Sequence, residues 1–170
     1  EHMEYVMFNV DDREEIVIES ETEIKSAVIR PLSAGISFEI SFGKIILSVD
    51  RPVKLSVEIN GSSNNNLMIF AYKEEFIGPT HNYIKITQDE YKTGTLLIEK
   101  DNTTVYIEEG ATLYGNIIAK NCNNITICGR GRVCLERYTY EMRNNFARSI
   151  DIINCTNVTI TGIIIDDSND

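Results

Sequence analysis

Asn121-Cys-Asn-Asn-Ile-Thr-Ile127 lies between two segments of the same shape, Asp101-Asn-Thr-Thr-Val-Tyr-Ile107 before it and Asn154-Cys-Thr-Asn-Val-Thr-Ile160 after it. Each opens on Asn or Asp and runs into alternating apolar residues. Laid over one another at intervals of 20 and then 33 residues, they align Val105, Ile125 and Val158, and then Ile107, Ile127 and Ile160. Tyr106, Thr126 and Thr159 take the outward position between them. A further apolar run precedes each segment, at 96–98, 117–119 and 150–153. A unit of strand, Asn-bearing corner and strand that recurs in this way is the pattern of a parallel β-solenoid, because each repeat buries its inward residues only against its neighbours. Asn suits the corner: it takes left-handed backbone at small cost and bonds to its own backbone. The spacing predicts a column of Asp101, Asn121 and Asn154 about 4.8 Å apart, with side-chain amides bonding along the stack. The longer second interval predicts a loop near 136–145 that projects from one corner and leaves the stack intact.

Upstream, the pattern is different. Short alternating runs at 5–10, 16–19, 24–30, 36–42, 44–49, 53–59 and 67–72 are rich in β-branched and aromatic residues, and most are bounded by Gly, Pro, Asn, Asp or Ser. In Val53-Lys-Leu-Ser-Val-Glu-Ile59 every second residue is apolar, so one face is buried and the other wet. Runs of this kind at close spacing predict an antiparallel sandwich. Residues 73–92 keep no period and carry turn residues, which reads as a linker. The expectation is therefore an all-β chain: an Ig-like antiparallel β-sandwich over 4–72, a linker over 73–92, and the first rungs of a right-handed parallel β-helix over 93–170. Glu1, His2 and Met3 read as a cloning remnant outside the fold.

Composition narrows the function classes. The 170 residues carry 26 acidic and 16 basic side chains, a net charge of -10, which disfavours nucleic acid and anionic membranes as partners. No apolar run approaches the roughly 18 residues that cross a bilayer, and the chain has no signal-peptide pattern at its N-terminus. Cys122, Cys128, Cys134 and Cys155 form no CxxC pair, so no zinc site and no cofactor is expected. Three of them sit on apolar strand patterns, where a free thiol behaves as a small hydrophobe; a disulfide is the alternative.

A resemblance adds to this reading. Val28-Ile-Arg-Pro-Leu-Ser-Ala-Gly-Ile36, Arg51-Pro-Val-Lys-Leu-Ser-Val-Glu-Ile-Asn-Gly61 and Asn66-Leu-Met-Ile-Phe-Ala71 resemble the N-terminal sandwich of polygalacturonase-like and dextranase-like glycoside hydrolases. Thr104-Val-Tyr-Ile-Glu-Glu-Gly-Ala-Thr-Leu-Tyr-Gly-Asn116, Ile127-Cys-Gly-Arg-Gly-Arg-Val133 and Asn157-Val-Thr-Ile-Thr-Gly-Ile163 are similar to the opening rungs of their β-helix. The resemblance implies inverting hydrolysis of a polysaccharide of pectin or dextran type, and a secreted or cell-surface parent protein. It attributes the chemistry to aspartates on later rungs, in an Asn-Thr-Asp motif, an Asp-Asp pair and a Gly-His-Gly motif; the first and last do not occur before Asp170, and Asp166-Asp167 falls too early in the repeats, without those partners, to be the pair. No catalytic residue is therefore assigned to this chain, which is expected to be inactive alone. It also implies truncation at both ends, with an open strand edge after Ile165 that invites self-association.

The candidates for sugar contact lie in the expected loop. Tyr138 and Tyr140 can stack on sugar faces, while Arg137, Arg143 and Arg130 can pair with uronate carboxylates as planar forks. The competing reading is an ordinary solvated loop. Asp166-Asp167 reads as a strand end or as part of a substrate groove. His81, with no carboxylate or nucleophile beside it in sequence, reads as a linker residue. Asn-X-Ser/Thr triplets at Asn60, Asn102, Asn124, Asn154 and Asn157 read as by-products of Asn-rich corners. Two other functions fit the same pattern: a non-catalytic solenoid, either a glycan-binding surface protein or a phage-tail-like spike whose rungs only present loops, and a calcium-dependent lyase, for which Asp166, Asp167 and Asp170 offer a thin ligand set.

Overall fold

The computed structural model describes residues 4–62, 66–73, 82–88, 92–136 and 148–166. They divide into two compact units, Glu1–Phe76 and Ile77–Asp170. Among the described residues the one helical element is a 3-10 turn at Leu32–Ala34.

Among the described residues the first unit holds seven strands: β1 (Glu4–Asn9), β2 (Glu14–Ile18), β3 (Ala27–Arg30), β4 (Phe38–Ser41), β5 (Lys44–Val49), β6 (Val53–Ile59) and β7 (Leu67–Tyr72). One sheet runs β1-β7-β6-β3 and the other β2-β5-β4. Period-two alternation fixes the faces: in β5, Ile45, Leu47 and Val49 are buried while Ile46 and Ser48 are only half-buried. Ile29, Leu55, Val57 and Ile69 of one sheet and Ile18, Ile45, Leu47 and Val49 of the other close a single core, which makes the unit a sandwich. One pairing departs from the antiparallel expectation. β1 lies parallel to β7, with Val6 opposite Ile69, because alternation specifies which face a residue takes and not the direction of its strand.

Among the described residues of the second unit every strand pairing is parallel. Its strands are β8 (Asn82–Ile86), β9 (Lys92–Ile98), β10 (Thr103–Ile107), β11 (Thr112–Lys120), β12 (Asn123–Gly129), β13 (Arg132–Cys134), β14 (Ile150–Ile153), β15 (Thr156–Ile160) and β16 (Ile164–Asp166). One stack runs β8-β10-β12-β15; in the other, β11 lies on β9 and carries both β13 and β14, and β13 carries β16. Gly115 sits where β11 passes from its β13 partner to its β14 partner, and a β-carbon there would stand 1.9 Å from the Gly94 carbonyl oxygen in the strand beneath. The result is the coil of a parallel β-helix, four rungs deep among the described residues. β8 falls inside the stretch that the sequence reads as linker. Its Tyr83-Ile-Lys-Ile86 run is too short to show a period, yet Ile84 and Ile86 pair with Val105 and Ile107 of the next rung.

The stacking register differs from the sequence alignment by two residues at the first step. Val105 pairs with Ile127, and Thr103 with Ile125; Ile125 and Ile127 then pair with Val158 and Ile160. The column is therefore Ile84, Val105, Ile127 and Ile160, buried at Val105 and Ile127 and 44% exposed at Ile160, and Val105 shares it with Ile127 rather than with Ile125. A slip of two residues keeps every side chain on its own face, so alternation cannot distinguish the two registers. The corners decide between them. The Asn123 backbone N–H donates to Asp101 Oδ1 at 2.7 Å, so Asp101 stacks with Asn123 rather than with Asn121. Asn121 and Asn154 do stack, with a 3.2 Å amide bond.

A second ladder, of Asn102, Asn124 and Asn157, runs beside the first. All three residues are left-handed, at φ 56°, 57° and 54°. Asn124 Nδ2 donates to Asn102 Oδ1 at 2.9 Å, and Asn157 Nδ2 donates to Asn124 Oδ1 at 2.6 Å. Left-handed backbone costs most side chains about 1–2 kcal/mol, and each lost hydrogen bond about 1 kcal/mol. Asn124→Ala, which loses both ladder bonds, is expected to lower stability by about 3 kcal/mol, and Asn124→Gly, which relieves the backbone, by about 2 kcal/mol. Urea titration of the two variants checks the ordering. The amides of Asn60, Asn102, Asn124, Asn154 and Asn157 all hydrogen-bond within the chain, as the corner reading requires.

Candidate functional site

Arg137, Tyr138, Tyr140 and Arg143 lie outside the described residues, as do His81, Asp167 and Asp170. The structure does describe the two points where the chain enters and leaves their segment. β13 ends at Cys134, and the next described residues after Glu136 begin at Arg148, which holds Asp151 of β14 through a 2.9 Å ion pair. On the entry side, the Glu136 backbone N–H lies 3.4 Å from Cys134 Sγ. Cys134 is buried although it points away from the helix interior, and burial pushes its thiol pKa up.

The outward face of β11, β13 and β16 gathers the polar chemistry of this region. Tyr114, Cys134 and Asp166 are stacked in register, and Thr112, Arg132 and Ile164 form the neighbouring row. Arg132 reaches diagonally across the rows, placing Nη1 3.3 Å from Asp166 Oδ2. Its Nη2 lies 3.4 Å from Glu136 Oε2. The Arg132 side chain is three-quarters covered, whereas those of Asp166 and Glu136 keep 44% and 41% of their surface open to solvent. A fork held by two carboxylates, with a half-buried tyrosine alongside, is a fixed array of donors and acceptors such as sugar hydroxyls require.

Arg130 does not join this array. It is 8% exposed, and its Nη1 donates to the Gly129 carbonyl at 3.0 Å inside the turn. A β-carbon on Gly162 of the next rung would collide with it, so Arg130 fills the space between two turns and offers no fork to a uronate. Asp166 sits at the end of β16 and ion-pairs with Arg132. Sequence reading passed over Arg132 and Tyr114. The signal that finds them is the spacing of Tyr114, Cys134 and Asp166, which places Arg132 on the same face once the register is known. Among the described residues no group of three or more His, Cys, Asp or Glu side chains is placed to hold a metal ion.

No family model and no curated protein matches the chain. Among solved structures it is similar to Dex49A from Penicillium minioluteum, with a TM-score of 0.60 and 18% identity, over 92% of this chain and 42% of that one. The chain therefore has the fold of less than half of Dex49A: a β-sandwich joined in sequence to parallel β-helix rungs.

Proposed function

We propose that this chain is part of a glycoside hydrolase acting on a polysaccharide of dextran or polygalacturonan type, in which these residues supply scaffold and sugar-facing surface while the acid and base stand on further rungs. The observation that carries the reading is the shared fold with Dex49A over 92% of the chain. The outward face at Tyr114, Arg132, Glu136 and Asp166 supports it. Inverting hydrolysis sets two carboxyl groups about 6.5–9.5 Å apart, across the scissile bond and a water. Glu136 and Asp166 both pair with the Arg132 guanidinium, an arrangement that offers charged donors and acceptors to a sugar.

A second reading, a non-catalytic solenoid that binds a glycan, draws on that same ion pairing. Affinity electrophoresis through gels containing dextran or polygalacturonate, run beside a reducing-end assay, tests both. The chain is expected to be retarded by one polymer and to release no reducing sugar, and Arg132→Ala is expected to weaken retardation about 3- to 10-fold, the effect of losing one charge-assisted contact. Migration unaffected by either polymer would count against the carbohydrate reading, and turnover by the pure chain would overturn the division of labour.

A further inference from the structure

Cys122 and Cys155 occupy the same corner of successive rungs. The flanking pairs fix this register: Lys120 stands opposite Ile153, and Asn123 opposite Thr156. Backbone bonds from Asn121 N to Ile153 O at 3.0 Å and from Thr156 N to Cys122 O at 3.3 Å hold the corner on both sides. The two sulfurs lie 3.4 Å apart. We propose that Cys122 and Cys155 form a redox-sensitive thiol pair that closes a disulfide between rungs when it meets a small-molecule disulfide such as oxidised glutathione.

Stacked strands put the two α-carbons about 4.8 Å apart, inside the roughly 4.4–6.8 Å that a disulfide spans. Bringing the sulfurs from 3.4 Å to a bond of about 2.05 Å needs only small side-chain rotations. The environments of the two thiols set the order of events. Cys122 is fully buried, and burial together with its bond to Cys155 pushes its pKa up to about 11, so it is a poor first nucleophile. Cys155 is half-buried and can be reached from solvent. Its thiolate attacks one sulfur of oxidised glutathione and expels a glutathione thiolate. Cys122 then attacks the Cys155 sulfur of the mixed disulfide, and its proton passes to the second glutathione sulfur as that group leaves. Two protein thiols become one disulfide, and one glutathione disulfide becomes two glutathione molecules. The bond would tie residues 33 positions apart, across the segment that carries Arg137, Tyr138, Tyr140 and Arg143.

The experiment equilibrates the purified chain in glutathione buffers of graded ratio, counts thiols after denaturation and maps peptides by mass spectrometry. The chain has four cysteines, and oxidation is expected to leave two free thiols, join the Cys122 and Cys155 peptides, and raise the Tm by about 5 °C or more, reversibly with dithiothreitol. Cys155→Ser is expected to keep its three thiols and the reduced Tm at every ratio. Four free thiols at the most oxidising ratio, or a link through Cys128 or Cys134, would refute the proposal. So would an unchanged Tm in the oxidised wild-type chain, because the register offered here requires a bond between properly stacked rungs.

Discussion

Gly129→Ala is expected to abolish the folded β-helix unit. Gly129 ends β12 at φ 121°, and a β-carbon there would stand 1.9 Å from the Ile107 carbonyl oxygen of the rung beneath. That oxygen cannot withdraw, since it accepts the backbone N–H groups of Arg130 at 2.9 Å and Gly131 at 3.1 Å. A contact that short against backbone forces the two rungs apart at the turn where β12 passes into β13. The substitution combines an unfavourable backbone conformation with a packing clash, which places it beyond about 4 kcal/mol, the range in which single changes unfold small domains. Loss of the β-sheet signal in circular dichroism and of the cooperative unfolding transition for the second unit would be the readout. A variant that melts with the wild-type transition would mean that the Gly-Arg-Gly turn is not packed as described.

The second large effect is expected at the centre of the interior column. Ile127 has no exposed surface and is paired between Val105 and Ile160. Truncation to Ala removes three carbons from a site whose neighbours are held by strand pairing above and below, so the cavity cannot collapse easily. The expected cost is about 3–4 kcal/mol. Thr126, one residue earlier, points outward, and Thr126→Ala is expected to change stability by no more than about 0.5 kcal/mol. Denaturant titration of the pair measures the alternation directly; equal losses at both positions would contradict the assigned faces.

Much of this architecture is legible in the residues, and the exceptions have physical reasons. The runs at 44–49, 53–59 and 67–72 match β5, β6 and β7, since alternation over six or seven residues between turn formers leaves little freedom. The repeat of Asn-cornered segments identifies the parallel stack, because left-handed corners at regular spacing have few other uses. Two Asn-rich triplets two positions apart, Asn121-Cys-Asn123 and Asn123-Asn-Ile125, compete for alignment with Asp101-Asn-Thr103. Only the hydrogen bonds of Asp101 and Asn102 select the second. The parallel direction of β1 and the existence of β8 are likewise tertiary facts, set by partners distant in sequence.

The site was less legible than the fold. Sequence reading looks for sugar contacts among exposed aromatic and arginine residues in the long insertion, which is reasonable chemistry but depends on loop conformation. Arg132 lies in a three-residue strand beside an arginine of opposite fate, and nothing in Gly129-Arg-Gly-Arg132 alone says that Arg130 turns into the stack while Arg132 faces out. The carboxylate partners of Arg132 come from the end of β16 and from Glu136. Their convergence follows from the intervals of the coil.

Nuclear Overhauser contacts in a uniformly labelled sample test the stacking most directly. Backbone contacts are expected to join Val105 to Ile127 and Ile127 to Ile160, with Thr103 joined to Ile125. Strong contacts joining Val105 to Ile125 instead, or the absence of contacts between these strands, would contradict the coil on which the site, the thiol pair and the carbohydrate reading all stand.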